Sequence, residues 1–387
     1  MRIALTVLLV AHGALHMLGF VKWWPLTGIS QLHVPEPAAL VNTPLHARAF
    51  ATYWLLACLL FLAAALLHAQ GNRDWYEAAL AALVLSQILI VFVWRDAKFG
   101  TIANVLVLVP TLLAAANAKF NREFERESRT ILASAAGANP APLVQARELM
   151  ALPTPVQRWL ERAGVLGKPH VRALRLRQIG ELRTSPEGPW LPATAEQYFS
   201  IPSPAFAWSV DTSMYGLLPI AGRDDYRAGK GRMRIEAASL FSLVDATGPK
   251  IDSGAMQRFL GEMVWFPSAA LSSFISWSSV DERTAKATFN DQGHSVSAEF
   301  EIDTTGRVVS IHALRYLGGG ADAVLTPWLV SCAAWARFGG VEIPVAGDVA
   351  WQLPHAHFSY YRFRIVDVEY DPRNSCAQRL ALDCVPG

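Results

Sequence analysis

The chain has 387 residues, 52% of them hydrophobic and only 17% charged, with a formal net charge of +2 and a mean hydropathy of +0.24. A charge this near zero provides no field to gather nucleic acid or an acidic partner, and so apolar a composition exceeds what one soluble fold carries.

The apolar excess lies at the start, in four runs at residues 3–20, 49–67, 78–94 and 101–118 that contain no Asp, Glu, Lys or Arg. Each is close to the roughly 17 to 25 residues that cross a hydrocarbon core of about 30 Å. Four such runs in succession leave no polar face to turn to water, so residues 1–118 read as four transmembrane helices. The first run carries Gly, two His and Phe20-Val21-Lys22-Trp23-Trp24 where a cleavable signal needs small residues, so it is expected to remain in the mature protein. Trp23, Trp24, Trp54, Trp75 and Trp94 lie near the run ends as an interfacial belt. Arg2, Arg73, Lys119, Arg122, Arg126 and Arg129 on one side outnumber Lys22, Arg48, Arg95 and Lys98 on the other. The positive-inside rule then puts both termini, and the domain that follows, in the cytoplasm, with the helices in the inner (cytoplasmic) membrane. Pro110 is expected to kink the fourth helix.

Residues 119–132 are charged, with Phe120, Phe124 and Ile131 at helical spacing, and read as a helix leaving the bilayer; residues 134–142 read as a linker. About 270 residues follow the last span, enough for one domain with a sizeable core, placed at residues 143–387. Two short helices open it, at 143–150 and 155–163, the second with Thr154 as N-cap and Gly164 as its stop.

From Val171 the period changes to two. Leu174, Leu176 and Leu182 alternate with Arg175, Arg177, Glu181 and Arg183, as a half-buried strand requires. Further strands are expected at 193–201, 205–211, 223–228, 232–245, three between 284 and 316 joined by Asn290-Asp291-Gln292-Gly293 and Asp303-Thr304-Thr305-Gly306, then 348–353 and 358–370. Helical spacing of Met256, Phe259, Leu260 and Met263 marks a helix at 253–264, with a shorter one at 267–275. The predicted class is an α-helical membrane bundle plus an α+β domain in which a curved antiparallel sheet wraps helices.

The segments Leu152-Pro153-Thr154-Pro155-Val156-Gln157-Arg158-Trp159-Leu160, Gly261-Glu262-Met263-Val264-Trp265-Phe266-Pro267-Ser268-Ala269-Ala270-Leu271, Arg315-Tyr316 and Val341-Glu342-Ile343-Pro344 with Trp351 resemble an uncharacterised bacterial family of membrane-anchored domains of unknown function. The resemblance covers about residues 143 to 370 and implies a fold rather than a reaction. The strand-helix-strand layout is also similar to the half-barrels of outer-membrane lipoprotein carriers, which enclose acyl chains. Neither a cleaved signal nor a lipid-attachment cysteine is expected here.

Several residues can carry chemistry. His12 and His16 stand one helical turn apart in the first span, where they can bind a metal or haem, with His33 or His46 as a third ligand, or simply hydrogen-bond neighbouring helices. Glu262 is either an acid with a raised pKa or an ion-pair partner, with Arg315 as the candidate. Asp224-Asp225 and Asp281-Glu282 read as solvated turn residues, and His355 with His357 as strand neighbours without further ligands. Cys376 and Cys384 form a disulfide if exported or stay reduced in the cytosol, whereas Cys58 and Cys332 sit in apolar stretches. No HExxH, GxSxG, Walker loop or CxxC is present.

Thirteen tryptophans either fill a core or line a cavity for a greasy guest. The reading that follows is a membrane-anchored domain binding or transferring a lipid. Trp265, Phe266, Trp277, Trp328 and Trp351 form its apolar lining, and Glu262 and Arg315 its polar end. The alternatives are a membrane enzyme with His12 and His16 as metal or haem ligands, and a docking module for another membrane protein.

Overall fold

The structure, a computed structural model, describes residues 2–24, 43–137, 140–214 and 218–372. His33, Cys376 and Cys384 lie outside the described residues. The chain divides into two compact units, Met1–Arg122 and Glu123–Gly387.

The first unit contains α1 (Arg2–Trp23), α2 (Pro44–Ala69), α3 (Trp75–Phe92), the single turn α4 (Trp94–Ala97) and the start of α5 (Gly100–Ala135). Helices α1, α2, α3 and α5 are each long and apolar enough to cross a membrane. Thr43 caps α2 by accepting from the His46 amide at 3.2 Å, with Pro44 at the first helical position. Ile3, Leu18, Leu66, Val84 and Ile102 are exposed, an arrangement suited to hydrocarbon as solvent. Helices α1 and α2 touch through small residues: a Cβ on Gly13 would lie 2.9 Å from that of Phe61, and one on Gly19 would lie 2.3 Å from the Trp54 ring. The fourth long helix runs unbroken through Pro110.

The second unit is a thirteen-stranded antiparallel sheet whose order is β6-β5-β4-β3-β2-β1-β13-β12-β11-β10-β9-β8-β7. The N-terminal wing holds β1 (Ala173–Leu182), β2 (Leu191–Ser200), β3 (Ala205–Met214), β4 (Leu218–Arg227), β5 (Lys230–Ala237) and β6 (Phe241–Ala246). The C-terminal wing holds β7 (Ile275–Ser279), β8 (Thr284–Asp291), β9 (His294–Ile302), β10 (Val308–Tyr316), β11 (Leu325–Phe338), β12 (Val341–Leu353) and β13 (Ala356–Tyr370). Every strand follows its neighbour by a hairpin except at the outer edges, and β1 pairing with β13 joins the wings. The chain must therefore pass from edge strand β6 to edge strand β7 across one face of the sheet. That crossover is α8 (Pro249–Glu262) with two 3-10 turns, Met263–Trp265 and Pro267–Leu271. Packing against β4, β5, β8, β9 and β10, α8 touches both wings and bends the sheet around itself.

Alternation fixes which side faces the helix. Leu174 and Leu176 of β1 are buried, whereas Arg175 turns out to Glu196 at 2.6 Å and Arg177 to Asp367 at 3.1 Å. On the opposite face of β3 from Phe206, Ala205 and Ala207 pack against Phe124 and Ile131 of α5, and Arg234 pairs with Glu123 at 2.9 Å and Glu127 at 3.3 Å. Two short helices precede β1: α6 (Ala146–Met150), closed by a capping box between Gln145 and Glu148, and α7 (Thr154–Ala163). Thr154 is the first residue of α7 and makes no cap bond, while Gly164 ends it at φ +74°.

Three local expectations change. Residues 232–245 divide into β5 and β6, because Ala238 and Ser239 take φ of +53° and turn the chain. Residues 272–275 do not continue a helix, since Ile275 already begins edge strand β7. Strand β11 and the first half of β12, unassigned from sequence, form the longest hairpin of the sheet, with Trp328 opposite Trp351 and Val330 opposite Val349.

Candidate ligand cavity

The trough between the sheet and α8 has a packed end and an open end. At the packed end Phe259 of α8 stacks on Phe289 at 5.1 Å and meets Phe266 at 5.6 Å, while Phe199 meets Phe266 at 4.8 Å; all four rings are fully buried. At the other end α8 presents Gly254, Ala255, Arg258, Gly261 and Glu262, and the small residues leave a cavity of about 430 Å³. Trp208, Val210, Met233 and Ile235 wall it from the N-terminal wing, and Trp328, Val330, Val349, Trp351, Tyr361 and Phe363 from the C-terminal wing, with Val264 and Trp265 beside the helix end. Gly254 and Gly261 let the cavity wall come close to α8: a Cβ on Gly261 would lie 3.3 Å from the Trp328 ring and one on Gly254 3.4 Å from Arg315 Nε.

One buried polar chain crosses the apolar wall. Tyr361 donates to Gln178 at 2.7 Å, Gln178 to Gln197 at 3.3 Å, and Gln197 to the Glu262 carboxylate at 2.7 Å. Glu262 also accepts from Arg258 at 2.6 Å, and Arg258 donates to Asp224 at 2.7 Å while stacking on Trp208 at 4.3 Å. Each member has a partner, as burial demands. Burial pushes the Glu262 carboxyl above its ordinary range against the pull of Arg258 and Gln197. Burial pushes the Tyr361 hydroxyl up as well.

Of the seven residues expected to bind the ligand, Glu262, Trp265, Arg315, Trp328 and Trp351 line this cavity. Phe266 and Trp277 do not. Phe266 is sealed in the packed end, and Trp277 on edge strand β7 lies against Phe300 at 5.3 Å and Trp159 at 6.1 Å, its indole donating to the Ala270 carbonyl at 3.0 Å. The expected pairing of Glu262 with Arg315 is replaced by the i, i+4 pairing with Arg258, which shares its helix face. Arg315 instead donates to the Gly254 carbonyl at 3.2 Å and to the Tyr360 hydroxyl at 3.4 Å. Its guanidinium lies over Trp328 at 5.5 Å and Trp351 at 5.9 Å. Asp224 is likewise no turn residue but sits within β4, and burial with the nearby Glu127 carboxylate raises its neighbour Asp225 to about 6. Asp281 does stand in a turn, accepting from the amides of Arg283 and Thr284 at 2.7 and 2.8 Å. Both His355 and His357 are exposed.

Gln178 and Gln197 stand outside the residues expected from sequence, although Gln178 interrupts the inward series Leu174, Leu176 at a position where the period calls for an apolar residue. In the first unit His12 and His16 are buried and engaged with neighbouring helices. Nε2 of His12 contacts Asn104 Oδ1 at 2.7 Å, and His16 contacts Ser86 Oγ at 2.9 Å and the His12 carbonyl at 2.8 Å. His46 lies in the exposed first turn of α2. Among the described residues no three His, Cys, Asp or Glu side chains gather to hold a metal ion.

The model of the Family of unknown function (DUF6544) matches residues 142–363, more than half of the chain. No curated protein matches. Among solved structures the chain is similar to an outer membrane lipoprotein-sorting protein domain from Vibrio parahaemolyticus, with 9% identity over 58% of this chain and 97% of that one and a TM-score of 0.33. It is also similar to a DUF1329 family protein from Desulfovibrio piger (8%, 59% and 97%, TM-score 0.34). A LolA superfamily protein from Nitrosomonas europaea gives 10%, 55% and 92%, with a TM-score of 0.32. At that level the likeness is one of sheet layout and carries no weight for ligand or activity.

Proposed function

The chain belongs to the Family of unknown function (DUF6544), whose model spans every residue that lines the cavity, and from that cavity we propose that the sheet domain binds or transfers a lipid or another hydrophobic ligand. The carrying observation is a space of about 430 Å³ walled by four tryptophans and by aliphatic side chains, with charged residues of both signs, Arg258, Glu262 and Arg315 among them, at its margins. Sites for small molecules combine these features over volumes of about 300 to 1,000 Å³. A core that needed its tryptophans only as filler would close on them, since unfilled apolar space forfeits contact energy. Four membrane-length helices on the same chain supply the second element of the reading: a guest with negligible solubility in water is met at the bilayer.

The domain's side of the membrane belongs to the same proposal. Six basic residues against four favour the cytoplasmic face of the inner membrane, and a reporter fused after Gly387 that is active only when exported tests it.

Native mass spectrometry of the full chain released from detergent tests the ligand. A discrete added mass, identified as lipid after extraction, is expected; a bare protein mass from several preparations in chemically different detergents would overturn the reading.

A further inference from the structure

Arg315 sets a cation in the cavity wall with no carboxylate against it among the described residues. Arg315, on β10, lines the cavity with its guanidinium over the neighbouring indoles of Trp328 and Trp351, and among the described residues it forms no ion pair. Of the other cations that line the cavity, Arg258 is balanced by Glu262 and Asp224, Arg232 by Asp245 and Arg234 by Glu123 and Glu127, and Arg223 lies over the Phe124 ring at 5.2 Å. Lys250 and Arg183 are occupied by backbone carbonyls, Lys250 by those of Gly320, Ala321 and Ala323, and Arg183 by those of Ser359 and Pro186. Among the described residues neither Nη2 of Arg183 nor Nη2 of Arg315 has a hydrogen-bond partner, and of the two it is Arg315 that lies over the Trp328 and Trp351 rings. The Tyr360 hydroxyl next to it accepts from Arg315 at 3.4 Å and from the Trp328 indole at 3.0 Å. With both acceptor positions of Tyr360 used by donors, its own hydrogen has no acceptor among the described residues.

Two donors without a partner among the described residues thus sit on side chains that meet at 3.4 Å in an apolar, tryptophan-walled space, and one of those side chains is a permanent cation. A neutral headgroup such as a hydroxyl would leave that charge uncompensated, whereas a carboxylate or phosphate is acceptor-only and matches a guanidinium fork with two oxygens. We propose that the cavity's guest is an anionic amphiphile whose carboxylate or phosphate is held by Arg315 and Tyr360 while its hydrocarbon lies along Trp328, Trp351 and Val349. This inference rests on the reading that the cavity holds a hydrophobic ligand and adds the chemistry of the ligand's polar end.

Photolabelling separates the two. The full chain in a non-ionic detergent is offered, at one concentration, three diazirine-tagged sixteen-carbon probes: the carboxylic acid, the alkyl phosphate and the alcohol. Adducts are mapped to peptides. The acid, the phosphate or both are expected to label strands β11 to β13 about tenfold more than the alcohol, since a charge-assisted hydrogen bond strengthens binding by at least that factor. Which of the two anions labels more strongly identifies the headgroup. Arg315→Lys is expected to keep the preference and Arg315→Gln to erase it while alcohol labelling persists. Equal labelling of wild type by all three probes, or an undiminished preference in Arg315→Gln, would sink the anionic headgroup and leave a hydrophobic site. Absence of labelling by any probe would remove the site itself.

Discussion

Arg258 and Glu262 stand one turn apart on α8 and meet at 2.6 Å, with the second arm of Arg258 on Asp224 of β4 at 2.7 Å. The crossover helix is thereby tied to the N-terminal wing at the margin of the cavity. Burial alone would lower the Arg258 pKa, but the Glu262 and Asp224 carboxylates outweigh it and hold the guanidinium charged. A triad of this kind sets the position of α8 rather than adding much net stability, because desolvation offsets most of the attraction.

Removing one partner is therefore expected to cost more than removing both. Arg258→Met leaves two carboxylates in the wall and should lose about 3 to 5 kcal/mol, the range for a stranded buried charge. Adding Glu262→Met to Arg258→Met is expected to recover about 1 to 3 kcal/mol. Denaturant unfolding of the full chain in detergent, followed by tryptophan fluorescence, gives the cycle; strictly additive losses would show that the pair does not couple.

The cavity itself predicts the effect of filling it. Val330 on β11 lines the space opposite α8, so Val330→Trp projects an indole into it. Overpacking a closed core costs about 1 to 3 kcal/mol, and here the cost is expected to fall below that range. The variant is expected to stay folded and to lose any lipid that co-purifies with the wild type, read by native mass spectrometry. Retention of the same lipid in equal amount would place the lipid elsewhere on the protein.

Much of this was legible in the sequence, for physical reasons that also explain the gaps. Leu174-Arg175-Leu176-Arg177 shows period two because one face of β1 meets the core and the other meets water. Strand β11 has no such signature: Thr326-Pro327-Trp328-Leu329-Val330 contains a proline that argues against a strand, and apolar residues stand on both sides. Tryptophan content points to a lined cavity but does not say which rings the helix covers, so the sequence does not separate Phe266 and Trp277 from Trp328 and Trp351. The partner of Glu262 is legible after all, since Arg258 stands at the i, i+4 spacing that puts two side chains on one helix face, whereas Arg315 does not.

Asp225 gives a pH dependence with a definite sign. Its carboxyl is raised from 3.8 to about 6 in the fold, by burial first and by the Glu127 carboxylate second. Between those values the native state holds a proton that the unfolded chain has released, so stability falls as pH rises through that window. Wild type is expected to lose thermal stability from about pH 4 to about pH 6 relative to Asp225→Asn, and the two curves to run parallel above about pH 7. Melting curves of both proteins at half-unit steps check this, and parallel curves across the whole range would show that Asp225 titrates normally.

In the helical unit, close contact and polar contact are expected to fail differently. Asn104 joins three helices, meeting His12 at 2.7 Å and Ser86 at 3.0 Å and donating to Gln87 at 3.0 Å. Hydrogen bonds between membrane helices average about 0.6 kcal/mol and reach about 1.7, since the separated helices find other partners. Asn104→Ala should therefore destabilise the bundle by about 1 to 2 kcal/mol and leave it assembled. Gly19 is a different case. A Cβ there would sit 2.3 Å from the Trp54 ring, and Trp54 packs against His16 at 5.4 Å and Phe50 at 6.3 Å, so the ring must shift against both to make room. Gly19→Leu is expected to separate α1 from α2 and Gly19→Ala to weaken their contact, giving the order Gly19→Leu, Asn104→Ala, wild type in resistance to SDS unfolding, least stable first. A Gly19→Leu protein as resistant as the wild type would mean that the two helices do not pack through this glycine.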